Sequence, residues 1–431
     1  MTGPSKTLHN PFNALVVVAA LGYFVDIYDL ILFNVVKKES LEALGLGGAL
    51  LKENSIFLFN CQMGGMLVGG LLWGILGDKK GRLSVLFGSI LLYSAANIAN
   101  AFTTTLPSYA MVRVLAGLGL AGELGAGITL VVESMSKENR GYGTMLIVTF
   151  GALGAVFASL VGKEGAYFAS AVNGWFGTSL VGWQMAYIVG GVLGLFLLAL
   201  RIGTFESKMF HAVRSSGVKR GDFFLLFRNR GLLRKYVFII LVGLPVWYIV
   251  SIPIALCEPI CKELGIEGVV IGTAIMYAYI GLSVGDFVSG ILSQLMQSRR
   301  RVVIWFVTLS LVLSGVLLYP VSTGLDWFYF MCFLLGAGTG YWALFVTMAA
   351  ELFGTNIRST VTTTVPNFVR GAVIPLTMLF QYLSVALADA TSHPNVAAAA
   401  MVGLLSFGLA LWAIISLPDP FHRDLEYVEI S

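Results

Sequence analysis

Six ionisable side chains stand inside long apolar runs of this 431-residue chain: Asp26, Asp29, Arg113, Glu123, Asp286 and Arg370. A charge at the centre of a bilayer costs about 2.5–3.5 kcal/mol on insertion scales, so each must face a partner or a wet cavity. Asp26 and Asp29 are three residues apart and share one helix face. Two carboxylates so placed repel when both are ionised, which suits the pair to carrying a proton. Arg113 falls at a depth similar to that of Asp29 on an antiparallel neighbour. A contact of Arg113 with Asp29 or Asp26 is therefore expected, leaving the remaining acid and Glu123 as protonatable sites. The proton is the expected coupling ion, with no other cofactor and no metal. Asp286, among Gly281, Gly285 and Gly290, fits helix packing as well as chemistry.

Arg370 is the most informative of the six. It lies twelve residues past Arg358, about 18 Å along a helix and so near mid-bilayer, with Asn367 one turn away on the same face. Its guanidinium cannot shed its charge, and its fork matches a carboxylate or a phosphate. A small anionic substrate is the leading expectation; permanent pairing with an intramembrane acid is the competing one. Tyr28, Trp247, Tyr341, Trp342 and Asn367 are candidates to line a largely apolar site around it.

The elements that must hold these residues follow from composition. The chain is 57% hydrophobic and only 12% charged, with 50 Gly and a mean hydropathy of +0.85. A soluble domain carries about a quarter charged residues, so a cytosolic enzyme, a nucleic-acid binder, a disulfide scaffold and a disordered chain are all excluded. A spanning helix needs about 20 mainly apolar residues. Twelve such segments are predicted, near 12–36, 54–77, 83–103, 108–134, 142–162, 183–203, 236–260, 268–295, 302–320, 326–352, 358–387 and 395–417. Residues 163–182 are predicted as an outer loop or a short interfacial helix. The fold class is thus all-α integral membrane. The four histidines (His9, His211, His393, His422) lie outside the spans, which weighs against an intramembrane metalloenzyme.

Of the 27 Lys and Arg, five fall in loops on one side (Lys37, Lys38, Lys52, Lys163, Lys262), two lie in the membrane and twenty lie on the side of the termini. By the positive-inside rule both termini are expected to be cytoplasmic, and the expected location is the inner (plasma) membrane, as a multi-pass protein. Nine of the twenty crowd into residues 201–235, from Arg201 to Lys235, read as a solvated basic linker.

Two patterns occur twice. Glu133 and Arg140 are seven apart after the fourth span, as are Glu351 and Arg358 after the tenth; Gly74-Ile-Leu-Gly77-Asp78-Lys79-Lys80-Gly81-Arg82 has a counterpart in Gly290-Ile-Leu-Ser293-Gln294-Leu-Met-Gln-Ser298-Arg299-Arg300. Offsets of 218 and 216 residues imply duplication into two pseudo-symmetric six-helix bundles, 1–203 and 236–431, joined by the linker 204–235. Repeated bundles facing each other build alternating-access carriers with a site near the midplane. Gly77, Asp78, Gly81, Arg82, Glu133, Arg140, Glu351 and Arg358 fall at cytoplasmic helix ends, where opposite charges can pair when that side is closed. Such a carrier needs a water-reachable chamber between the bundles.

At these residues the chain resembles the major facilitator superfamily over its whole length. Gly74-x-x-Gly77-Asp78-Lys79-x-Gly81-Arg82 is similar to the family's loop 2–3 signature, and Arg113-x-x-x-Gly117-x-Gly119 to its fourth-helix motif; Gln294 stands where the second-half loop would carry an acid, implying a gate held less electrostatically there. Arg358 to Arg370-Gly371 is similar to helix eleven of aromatic-acid:proton symporters and animal organic anion carriers, and Gly22-Tyr23-Phe24-Val25-Asp26-Ile27-Tyr28-Asp29-Leu30 to the first helix of aromatic-acid and phosphate:proton symporters. The resemblance implies a proton symporter of a small organic anion, a carboxylate, acting as a monomer. A phosphate:proton symporter is the weaker match, since Glu123-Leu124 replaces an acidic Asp-Tyr pair and Arg370 replaces Lys. An organic cation or drug antiporter or uniporter would use the same acids as cation ligands. The lipid bilayer and the small molecule are the expected partners; nucleic acid is not.

Overall fold

The computed structural model describes residues 14–136, 139–201, 220–319, 324–421, 423, 425 and 427–429. Within them the apolar runs form twelve spanning helices: α1 (Ala14–Ala43), α2 (Glu53–Lys80), α3 (Arg82–Asn100), α4 (Leu106–Ser134), α5 (Arg140–Lys163), α6 (Gly182–Leu200), α7 (Arg230–Ala255), α8 (Ile271–Leu295), α9 (Arg299–Leu317), α10 (Leu325–Leu352), α11 (Arg358–Ala386) and α12 (Pro394–Ser416). The even number puts the first and last helix ends on one side, here called the terminus end. Polarity is inverted relative to a soluble protein: Val385, Leu404 and Phe196 are exposed, whereas Asp26, Arg113 and Arg370 are buried. The exposed apolar faces are those that lipid covers.

Some boundaries differ from the sequence expectation for identifiable reasons. α1 continues to Ala43, so Lys37 and Lys38 lie on a helix. α7 begins at Arg230 because the Asn229 side chain accepts from the amides of Gly231 (2.9 Å) and Leu232 (3.3 Å), placing Arg230, Arg234 and Lys235 on its first turns. Residues 204–219 of the expected linker, with Glu206, Ser207, Lys208, Arg214 and Lys219, lie outside the described residues, as do His9, His211 and His422. The stretch after α5 is a helix, Gly165–Phe176, which ends at left-handed Gly177 (φ 64°) and exposes Tyr167, Trp175 and Phe176. Aromatic rings of that kind sit well at a membrane–water interface.

The repeat is visible in three dimensions. Burial inside the protein is greatest for α1, α4, α7 and α10, at 72%, 83%, 83% and 78% of their most apolar windows, so every third helix is central. α4 breaks into Leu106–Leu120 and Glu123–Ser134, and α10 into Leu325–Thr339 and Trp342–Leu352, at matching points of the two halves. The halves meet where α2 packs along α11 and α5 along α8. Exchanging the halves turns one contact into the other, as a pseudo-twofold requires.

Close approach between helices rests on glycine. The run Gly117-x-Gly119-x-x-Gly122 lies within broken α4 and serves packing: a Cβ on Gly117 would meet the Gln62 carbonyl of α2, and one on Gly336 of α10 would meet the Ala278 carbonyl of α8. Gly117→Val and Gly336→Val are each expected to destabilise the protein by about 1–3 kcal/mol. Gly315→Ala, where a Cβ meets open space, should be neutral. Thermal midpoints in detergent check this; equal midpoints for all three variants would contradict it.

Candidate functional site: a central ion pair above a closed gate

Helix α11 explains why so polar a segment is buried. Its first half carries Ser359, Thr360, Thr362, Thr363 and Thr364, all fully enclosed. Thr362 and Thr364 donate to carbonyls one turn back, Arg358 O at 2.8 Å and Thr360 O at 2.7 Å. The Thr362 and Thr129 hydroxyls meet at 2.6 Å across the halves. These bonds satisfy the Thr362 and Thr364 hydroxyls, while those of Ser359 and Thr363 are enclosed without a hydrogen bond; the same helix carries Asn367 and Arg370 into the interior.

Arg370 Nη2 lies 3.6 Å from Asp26 Oδ2, with both side chains enclosed. Its Nη1 donates to Asn367 Oδ1 at 3.4 Å, and its guanidinium stands 5.7 Å from the centre of the Trp247 ring. The pair is loose. Neither Asp26 oxygen accepts a hydrogen bond, and Arg370 Nε and Nη2 donate none. Trp247 packs edge-on to Trp342 at 6.4 Å, and Trp342 Nε1 donates to the Tyr23 hydroxyl at 3.0 Å, bridging the two halves. Arg370, Asp26, Asn367, Trp247 and Trp342 thus gather at one place, drawn from α1, α7, α10 and α11. Tyr279 of α8, which the sequence did not single out, joins Tyr23, Trp247 and Trp342 around a void of about 10 Å³. That space admits about one water, so the expected central chamber is closed in this conformation.

Other expected site residues are placed elsewhere. The Tyr28 hydroxyl donates to Ala186 O of α6 at 2.8 Å, and that of Tyr341 to Val242 O of α7 at 2.9 Å; both rings serve packing rather than the central cluster. Arg113 does not reach Asp26 or Asp29 as an ion-pair partner. Gln62 of α2 intercepts its guanidinium through Oε1, and the Phe33 ring covers it at 4.7 Å. Asp29 is buried against Gly190 of α6, and neither oxygen accepts a hydrogen bond. Glu123 is not a free acid: Arg201, at the end of α6, holds both its oxygens, one at 3.0 Å. Arg201 is accordingly buried, not part of a solvated linker. The broken helices are also satisfied. Trp73 Nε1 donates to Leu118 O at 2.7 Å and Asn367 Nδ2 to Ala121 O at 2.8 Å in α4, while Asp286 Oδ1 accepts from Ala343 N at 2.9 Å in α10.

At the terminus end the gate residues form two related charge clusters. Glu133 is held by Arg82 of its own half at 2.8 Å and by Arg358 of the other at 3.3 Å. Glu351 is held by Arg299 of its own half at 3.5 Å and by Arg140 of the other at 2.9 Å. Arg299 was not among the expected gate residues, although it falls 217 positions after Arg82, where the duplication places an equivalent. Asp78, turned by Gly77 and Gly81, caps α11 by accepting from the amides of Ser359 (3.1 Å) and Thr360 (2.8 Å) and from the Thr360 hydroxyl (2.6 Å). A carboxylate at a helix N-terminus meets both unpaired amides and the positive end of the helix dipole. Gln294, at the equivalent place beside Gly141 of α5, uses its amide nitrogen for no hydrogen bond.

The chain's last described residues cover this closure. Arg358 Nη2 donates to Leu425 O at 2.7 Å and Arg140 Nη2 to Arg423 O at 3.1 Å. Asn356, between α10 and α11, exchanges hydrogen bonds with the Glu429 backbone at 2.9 and 3.0 Å.

A fold of two six-helix bundles, closed at one end and with a charged pair at mid-depth, defines a membrane transporter. A family model described as Major Facilitator Superfamily matches residues 19–388, and the chain belongs to that superfamily; it is a transporter and not an enzyme. It is 25% identical over 405 residues, 92% of this chain and 88% of the other, to a Cupriavidus pinatubonensis protein described as a probable 4-methylmuconolactone transporter. It is 32% identical to the 3-(3-hydroxy-phenyl)propionate transporter of Escherichia coli K12, over 35% of this chain and only 34% of that one. The fold superposes on the proton:xylose symporter XylE with a TM-score of 0.74 at 15% identity, covering 96% of this chain and 97% of the other.

Neutralising Glu351 leaves Arg140 and Arg299 facing each other without that anion, and neutralising Glu133 leaves Arg82 with Asp78 at 3.5 Å and takes the carboxylate from Arg358. Glu133→Gln and Glu351→Gln should each weaken the closed state by about 3–5 kcal/mol. Spin labels on exposed Lys80 and Arg301 would then report longer distances; an unchanged distribution in both variants would show that the clusters do not hold the end shut.

Proposed function

We propose that this protein carries a small organic anion, an aromatic or similarly amphipathic carboxylate, into the cell together with protons, by alternating access between the bundles 1–203 and 236–431. The terminus end is the cytoplasmic one, in keeping with its share of Lys and Arg, and the membrane is the inner (plasma) membrane. The observation that carries the reading is the loose, enclosed contact of Arg370 with Asp26 at 3.6 Å. The likeness to the transporters of 4-methylmuconolactone and 3-(3-hydroxy-phenyl)propionate supports an organic, ring-bearing substrate.

In this reading Asp26 and the substrate carboxylate compete for one guanidinium. With Asp26 ionised, Arg370 is occupied and an incoming anion meets a second negative charge. A proton on Asp26 removes that charge and frees the Arg370 fork, whose geometry suits a carboxylate. Trp247 and Trp342 offer aromatic faces to the rest of the substrate. Loaded and neutralised, the centre no longer keeps a bare charge between the bundles, and the gate clusters can exchange their cross-half bonds for water. Proton binding thereby favours anion binding, and by linkage the anion favours the proton. Asp29 is a second buried carboxylate on the same helix, and Glu123 is held by Arg201.

Proteoliposomes tested with benzoate, 3-(3-hydroxyphenyl)propionate, phosphate and benzylamine separate this reading from its rivals. Uptake of the aromatic carboxylates should rise as the outside is acidified, because lower pH populates protonated Asp26, and should collapse with an uncoupler. Arg370→Ala should lose uptake by about 30-fold or more. Asp26→Asn should keep downhill anion flux but lose accumulation driven by a pH gradient. Benzylamine uptake that drives protons outward, or wild-type uptake in Arg370→Ala, would overturn the assignment.

A further inference from the structure

A sizeable cavity lies away from the central pair. It lies at the end opposite the termini, with a volume of about 410 Å³, a size typical of small-molecule sites. Three ammonium groups line it, Lys37 and Lys38 of α1 and Lys262 from the segment after α7, against a single carboxylate, Glu258. Its apolar walls come from both halves, Ile56 of α2 facing Phe380 of α11. Lys37 is half-buried and its ammonium donates to Ala255 O at 3.4 Å. An ammonium has three donors, and this long bond uses one of them. Lys37 stands eleven residues beyond Asp26 on α1, about 16 Å along the axis and on nearly the same face. Between the two levels a narrow void of about 10 Å³ is lined by Lys37 again, with Asn34, Ser55, Ser251 and Thr377.

We infer that this cavity is a docking site for the organic anion, occupied before the substrate reaches Arg370. An excess of positive charge in a concave, low-dielectric vestibule concentrates anions. The Ile56 and Phe380 walls add what a phosphate ion cannot use, an apolar surface for the body of a carboxylate. Anion binding at Lys37 also draws its ammonium from Ala255 O, a hydrogen bond that ties α1 of one half to α7 of the other. The far end is therefore loosened by arrival of cargo. The inference rests on the anion reading above for the class of ligand.

The test uses the full-length protein in nanodiscs with benzoate as probe, benzylamine and inorganic phosphate as comparisons, and binding followed by ligand-observed NMR. Arg370→Ala, which removes the central site, should retain weak benzoate binding that fades with added salt. Adding Lys37→Gln and Lys262→Gln should reduce that binding about tenfold. In transport, Lys262→Gln alone, an exposed position that tolerates change, should raise KM severalfold with kcat unchanged. Retained binding in the triple variant together with an unchanged KM would overturn the docking site while leaving the central reading intact. Failure of the wild type to bind or move benzoate, with benzylamine bound instead, would sink both. Phosphate displacing benzoate at equal concentration would refute the apolar part of the site.

Discussion

A guanidinium and a carboxylate enclosed at mid-membrane set the terms for the rest of this molecule. Charges of this kind lose several kcal/mol of hydration each, and mutual attraction recovers that cost only with good geometry. Asp26 and Arg370 touch at 3.6 Å without a hydrogen bond between them. Their geometry is therefore well short of what would make the pair permanent. An arrangement that is tolerable yet replaceable is what a site needs if something else is to take one partner's place.

The surrounding helices keep that pair both buried and reachable. α4 and α10 break near the middle of the protein, which frees backbone groups where a continuous helix would have none. Side chains from elsewhere take two of these groups: Asn367 the Ala121 carbonyl, Asp286 the Ala343 amide. Asn367 also accepts from Arg370. The residue that steadies the guanidinium thus holds the other half of the protein at the same time, and rearrangement of the pair is transmitted across the interface through one amide side chain. The hydroxyl-rich start of α11 has a related role. Thr362 and Thr364 bond within the helix and Thr362 also to Thr129 of α4, so these hydroxyls are satisfied without water.

Much of this architecture is legible in the sequence because it follows from quantities that act along the chain. Apolar run length gives the twelve spans, and the doubled Glu–Arg spacing gives the pseudo-twofold. The spacing from Arg358 to Arg370 places a cation at mid-depth without reference to any neighbour. Partner choice is a different matter, since it depends on how helices approach. Arg201 looks solvated because it ends an apolar run beside a basic stretch; only the approach of α4 to α6 brings Glu123 to it. Arg113 has acids at similar depth, but Gln62 is nearer. Tyr28 and Tyr341 have the right composition for a binding site, and the facing of their helices turns their hydroxyls to Ala186 and Val242. The polar tail gives no periodic signal, yet its backbone reaches both Arg140 and Arg358. Arg299 was recoverable from the repeat by applying the offset to Arg82.

The duplication is imperfect at one place that matters for motion. Asp78 clasps the start of α11 with three hydrogen bonds, whereas the Gln294 amide nitrogen beside α5 makes none. The start of α5 is tied to the other half instead by Arg140, which pairs with Glu351 at 2.9 Å, and by Thr144, which meets Thr347 at 2.8 Å. The two halves of the closure are thus fastened by different chemistry, a helix cap on one seam and ion pairs with hydroxyl contacts on the other.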